Sequence, residues 1–255
     1  MPAPVNRLKQ RLAAGDTTFG CWLSMAEANA AEMMGTAGFD WLLIDGEHAP
    51  NDLRSIRDQL AVLETSPSDV VVRLPVGETW MIKQVLDAGA QTLLVPMVES
   101  GQQARDLVAA CTYPPAGRRG VGAAATRASR FSSVTDYIRT ADAQICLLVQ
   151  VESRAGHAAL DEILATDGID GVFVGPADLA ADMGHAGDSS APDVQAAIAD
   201  ILGRTAAAGK TPGIMCLDDR AQTYLDAGAR FMAVGIDVLL MMGAARDLAG
   251  RWVAR

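Results

Sequence analysis

Lysine is almost missing from this chain. Among 255 residues only Lys9, Lys83 and Lys210 occur, and none follows an apolar run of strand length. Chemistry through a Schiff base needs a lysine in the site, so imine catalysis is not expected. Basic charge is scarce overall: the formal net charge is -10 and aromatics make up 5%. Such a chain repels nucleic acid, and no basic block interleaved with aromatics offsets that. No apolar stretch approaches the roughly 18 residues of a membrane span. The opening MPAPVNRLKQRLAAGD has no long apolar run, so neither signal peptide nor anchor is expected. Cys21, Cys111, Cys146 and Cys216 form no CxxC and no zinc spacing. They read as reduced thiols of a cytoplasmic protein. Neither GxGxxG nor GxxxxGK[ST] occurs, which removes support for dinucleotide and P-loop readings.

What the chain does have is one recurring phrase. It reads AGFDWLLID from Ala37, AGAQTLLVP from Ala88, DGIDGVFVG from Asp167 and AGARFMAVG from Ala227. Each is a glycine suited to ending a helix, then a compact apolar run. The runs lack alternation, as strands covered on both faces do. Four helix–glycine–strand copies are half of an eightfold barrel. The other strands fit between them, giving runs near 18–23, 41–45, 70–74, 92–95, 145–151, 171–174, 213–217 and 231–235. Helices are expected near 26–37, 51–63, 78–88, 100–110, 156–165, 191–208 and 218–227, with flanking helices at 3–14 and 238–253. The expected fold is α/β, a (β/α)8 TIM barrel in one domain over 1–255. A doubly wound sheet is less natural with eight strands. Residues 111–140, rich in proline, glycine and arginine, read as a long ordered loop, a lid or subunit contact.

Polar residues fall at the C-terminal ends of these runs, which converge on one face of a barrel. Glu152 and Asp178 follow neighbouring strands and make a seat for a hard or borderline divalent ion, Mg, Mn or Co. Two protein ligands leave room for water and a bidentate substrate. Gly175-Pro176-Ala177-Asp178 leads into a short helix whose free N–H groups, on Ala177 and Asp178, suit a carboxylate. His48 in the Asp45-Gly-Glu-His48 segment suits a general acid or base, with Asp45 to hold its ring or to bridge to it through water. Arg73, set among valines, needs a partner or a ligand and can hold an oxygen that gains charge. Gln150 shares a strand face with Glu152.

These segments together resemble the HpcH/HpaI aldolases, the class II pyruvate aldolases, leaning toward the branch that cleaves 4-hydroxy-2-oxoheptanedioate and its sugar-acid relatives. The carrying residues are FDWLLIDGEHAPNDL at 39–53, IKQVLDAGAQTLLVPMV at 82–98, YPPAGRRGVG at 113–122, RASR at 127–130, LVQVES at 148–153 and GVFVGPADLAADMG at 171–184. The resemblance implies a metal-dependent addition of pyruvate enolate to an aldehyde, reversible as cleavage of 4-hydroxy-2-oxo acids. It implies Glu152 and Asp178 as metal ligands, and the Ala177 and Asp178 N–H groups as the carboxylate clamp. Arg73 is then the enolate's partner, and Asp45 with His48 orders a basic water. Gln150 stands near the metal, and Trp22 is a pocket aromatic. It also implies Asp87 near an adjoining subunit's site, a homohexamer built as a trimer of dimers, and a last helix exchanged with a neighbouring barrel. Met215, where relatives carry other aliphatics, leaves the aldehyde open. Rival expectations are an acyl-CoA lyase of the citramalyl or malyl type, decarboxylation of a 2-oxo diacid, and a non-catalytic binding barrel.

Overall fold

A computed structural model describes residues 1–253; the last two positions of the expected domain, 254 and 255, lie outside the described residues. Eight parallel strands run in chain order around a closed barrel: β1 Thr18–Leu23, β2 Trp41–Asp45, β3 Asp69–Arg73, β4 Thr92–Val95, β5 Cys146–Val151, β6 Gly171–Val174, β7 Thr211–Met215 and β8 Phe231–Ile236. β8 pairs back onto β1, with a register shift between Gly20 and Cys21. The helices are α1 Arg7–Ala13, α2 Ala28–Met34, α3 Leu53–Val62, α4 Thr79–Asp87, α5 Gly101–Cys111, α6 Tyr137–Thr140, α7 Arg154–Ala158, α8 Leu160–Leu164, α9 Pro176–Asp182, α10 Pro192–Ala207, α11 Ala221–Asp226 and α12 Asp237–Trp252. Local chemistry accounts for several of the starts. Asp52 caps α3 through the N–H groups of Arg54 and Ser55, and Ser100 caps α5 through Gln103. Glycines with positive φ close the turns before β2, β4, β6 and β8, at Gly38, Gly89, Gly168 and Gly228. These are the glycines of the recurring phrase.

Alternate residues of each strand point inward. Trp22, Trp41, Leu43, Val71, Leu94, Leu148, Phe173 and Phe231 fill the barrel, and the opposite faces of the strands pack under the helices. Trp41 stacks on Phe231 with ring centroids 4.0 Å apart. Trp22 meets Trp41 edge-on at 6.1 Å and Phe173 at 5.5 Å. The Trp41 ring occupies the space a side chain at position 20 would take, because a Cβ on Gly20 would collide with it.

The segment after α5 differs from the expected lid. Because it follows a helix rather than a strand, it enters the pole holding the strands' N-terminal ends. There Arg127, Arg130 and Phe131 share a depression with Asn6, Asp69 and Gln91. The Asp136 N–H donates to the Met1 carbonyl oxygen. Two lysines also lie at this closed pole. Lys9 donates to the Ile145 carbonyl, and Lys210 donates to those of Thr166 and Ile169. Lys83 sits half-buried on α4 beside Gly120. Among the described residues no helix is long and apolar enough to cross a membrane.

Gly20→Ala forces its methyl into the Trp41 ring. Overpacking of this kind costs about 1–3 kcal/mol. A fall of that size in unfolding free energy, read from chemical-denaturation midpoints, is the expected result.

Candidate active site

The C-terminal ends of β2, β3 and β5 and the start of α9 surround one mouth. β2 and β3 pair with Asp45 opposite Arg73. That register lets the Asp45 carboxylate take Arg73 Nε at 2.9 Å and Nη2 at 2.8 Å. Such fork-to-fork bonding fixes the guanidinium plane. Glu47 stands on the other side, its Oε2 2.7 Å from Arg73 Nη1. Arg73 is therefore buried but neutralised twice, and N–H groups on Nη1 and Nη2 stay free for a further acceptor. Its guanidinium carbon lies 5.5 Å from the centroid of the Trp22 ring.

Asp45 does not hold the His48 ring. Its Oδ1 instead accepts the backbone N–H groups of Glu47 at 3.0 Å and His48 at 3.3 Å, shaping the turn after β2. The His48 imidazole is exposed, and its Nε2 lies 3.9 Å from Glu47 Oε2. Glu152 is 3% exposed. Its Oε1 accepts the Met97 N–H at 2.9 Å, and its Oε2 accepts Gln150 Nε2 at 2.5 Å. Burial pushes the Glu152 carboxyl up to about 7, reinforced by the charges of Asp178 and Glu47 and opposed by its two hydrogen bonds. Burial also raises the Glu47 carboxyl, against Arg73 and His48, with Asp45 and Asp178 adding to the rise.

Gly175 precedes α9, and a Cβ there would collide with Glu152 Oε2. Pro176 opens the helix, which has no side-chain cap, and its first internal bond runs from Leu179 N–H to the Gly175 carbonyl. The N–H groups of Ala177 and Asp178 therefore have no acceptor among the described residues, and both residues are exposed at the mouth. Trp22 and Met215 end the inner aromatic layer below. Asp87 does not join this cluster. It ends α4 at the closed pole, where Arg119 Nη2 reaches its Oδ1 at 3.3 Å.

A family model described as HpcH/HpaI aldolase/citrate lyase matches residues 18–244. The chain belongs to this family. Family membership and the relatives below make it an enzyme, a carbon–carbon lyase. A hydroxypyruvate/pyruvate aldolase from Roseovarius nubinhibens is 61% identical over 253 residues, covering 99% of this chain and 98% of that protein. A 4-hydroxy-2-oxo-heptane-1,7-dioate aldolase from Salmonella arizonae is 51% identical, covering 98% and 95%. A crystal structure of a family member from Burkholderia cenocepacia J2315 superposes with a TM-score of 0.94 at 42% identity, over 98% of this chain and 100% of that one. The heptanedioate branch anticipated from the sequence thus matches less closely than the hydroxypyruvate/pyruvate aldolases.

Two members of the mouth escape a sequence reading. Glu47 lies inside the quoted segment, yet only its ion pair with the basic Arg73 reveals its place. Met97 takes a left-handed backbone, φ 53°, which aims its N–H at Glu152; nothing in the sequence signals a strained methionine.

The Glu152 carboxyl gives a pH prediction. Its folded value near 7 exceeds the ordinary 4.5, so the folded state binds the proton more tightly. Its contribution to stability is complete below about pH 4.5 and is lost as pH rises to about 7, roughly 3 kcal/mol in all. Metal-stripped protein should lose thermal stability between pH 5 and pH 8. Glu152→Gln should remove most of that slope in the same melting series.

Proposed function

We propose that the chain catalyses reversible aldol addition of a pyruvate-type enolate to an aldehyde, the reverse reaction cleaving 4-hydroxy-2-oxo acids. Products of the heptanedioate or 2-keto-3-deoxy sugar-acid kind fit this reading. The observation that carries it is the gathering at one mouth of a buried carboxyl, a second exposed carboxylate, a fixed guanidinium and two unpaired helix N–H groups. No lysine stands there to form an imine.

A divalent ion, Mg, Mn or Co, suits Glu152 and Asp178. The fit rests on charge: Glu152 holds its proton to about 7 because burial, Asp178 and Glu47 all disfavour the anion, and a cation would reverse that balance. Among the described residues no group of three or more His, Cys, Asp or Glu side chains forms a metal site. Oxygens of water and substrate would have to supply the ligands that the chain does not. When bound, the ion draws electron density from the keto group and makes the C3 protons acidic.

The remaining work belongs to the chain. The Ala177 and Asp178 N–H groups bind the substrate carboxylate, and Gly175 and Pro176 keep that helix start bare. Arg73, held in plane by Asp45 and Glu47, turns its free N–H groups to the keto oxygen. They stabilise it most as it gains charge. The His48 imidazole, exposed at the rim, exchanges protons with water and with the aldehyde-derived hydroxyl. Gln150 orients Glu152, while Trp22 and Met215 form the apolar floor. The relatives' activities support this assignment.

The assembly reading follows from α12. Leu239, Leu240, Met241, Met242 and Leu248 are all exposed on it, and Asp237 is its one buried residue. We assign this face to a neighbouring copy, with helix exchange and a hexamer built as a trimer of dimers. Asp87, remote from its own mouth, then serves a neighbouring copy's site.

Proton NMR of pyruvate in deuterated water tests the chemistry. The expected result is methyl exchange with Mn- or Mg-loaded protein, and its loss by about a hundredfold or more in Glu152→Ala. Arg73→Lys, which gives up the planar fork, should slow exchange by about 10²–10³. Absence of exchange with every metal would overturn the assignment. Light scattering tests the assembly: Leu239→Lys with Leu240→Lys should give a smaller species than the unaltered chain, and an unchanged mass would refute the exchange.

A further inference from the structure

Two buried polar atoms under the mouth have no partner among the described residues: the Trp22 indole N–H and the Gln150 Oε1. Each residue is 2% exposed. Both face inward near the C-terminal ends of their strands, Trp22 on β1 and Gln150 on β5. Trp22 packs on Phe173, which pairs with Gln150 across β5 and β6, and Trp22 also lies beneath the Arg73 guanidinium. The orientation of Gln150 is fixed by chemistry. An ionised Glu152, the form that a bound cation would hold, only accepts, so the amide turns Nε2 to it and leaves its oxygen facing elsewhere. Buried groups of this kind are ordinarily satisfied, and each exception asks for a reason. The barrel could have closed this layer with wholly apolar side chains, as it does with Leu43, Leu94 and Leu148.

The two orphans are of opposite type. One only donates and the other only accepts here, and a single hydroxyl can do both in return. Pyruvate offers them a methyl group, which satisfies neither. A 2-oxo acid with a hydroxyl on C3 offers what each lacks. We infer that Trp22 and Gln150 form a subsite for the C3 hydroxyl of the donor, so that the chain selects a 3-hydroxy-2-oxo acid over the methyl analogue. This rests on the aldolase reading and sharpens it, because it assigns the choice of nucleophile to two residues beneath the reacting carbon. A site with polar groups in place for a hydroxyl disfavours the analogue that leaves them unpaired. Trp41 carries a second indole N–H with no partner among the described residues, but Trp41 stands one inward-facing layer deeper, stacked on Phe231, and takes no part.

The test replaces Trp22 with β-(3-benzothienyl)alanine, which keeps the fused ring and loses the N–H. Trp22→Phe and Gln150→Met serve as second and third variants. Two ratios are read for hydroxypyruvate against pyruvate on Mn-loaded protein: the rate of C3 deuterium exchange per unit concentration, and the dissociation constant by calorimetry. The expected result is a preference for hydroxypyruvate in the unaltered chain that shrinks at least tenfold in the benzothienyl protein, chiefly in binding. Gln150→Met should move the same ratio in the same direction. A ratio within twofold of the unaltered value in the benzothienyl protein, with both donors still exchanging, would overturn the subsite and leave the aldolase reading intact. An unaltered chain that exchanges neither donor would instead defeat the aldolase reading.

Discussion

The Trp41 ring fills the barrel only because position 20 has no side chain. This exclusion sets the height at which everything above it rests. Trp41 stacks on Phe231 and meets Trp22, and Trp22 in turn lies under Arg73. The polar layer therefore stands on a rigid aromatic floor, not on solvent. Close-packed interiors transmit displacement, so a shift of Trp41 would reach the guanidinium through two contacts.

Charge at the mouth is deliberately unbalanced. Arg73 alone faces Asp45, Glu47, Glu152 and Asp178, and it is spent on the first two. Among the described residues the pair on the far side, Glu152 and Asp178, has no cation of its own. Burying an unpaired carboxyl is costly, which is why Glu152 keeps its proton so long. The same imbalance suits the mouth to a positively charged guest. The strained Met97 and the bare Gly175 belong to this arrangement. One delivers a donor to Glu152, and the other lets α9 approach it.

Much of this was legible in the sequence because the barrel repeats its punctuation. The runs at 41–45, 92–95 and 171–174 are bounded by a helix-ending glycine and a polar or proline break, and they match β2, β4 and β6 to the residue. β7 begins two residues earlier than expected, since Pro212 reads as a breaker although it lies within the strand. The loop after α5 reads from its composition as a lid or a subunit contact; the intervening helix reverses the chain and carries it to the pole opposite the mouth, where it cannot serve as a lid. At the mouth, residues at strand ends were readable from position alone. The Asp45–Arg73 pairing needed the register of β2 and β3, and Glu47 needed the turn that Asp45 shapes. Asp237 holds the N–H groups of Ser24 and Met25 from across the sequence, a link that no local pattern announces.

The scarcity of lysine has a practical side. Lys9 and Lys210 are tied to carbonyl oxygens at the closed pole, Lys83 lies along α4, and the amino terminus donates to Thr135 at the same closed pole. Reagents that couple to primary amines would thus reach this chain from behind or from the side. A surface built on amine chemistry would hold the barrel with its mouth turned outward, toward solution.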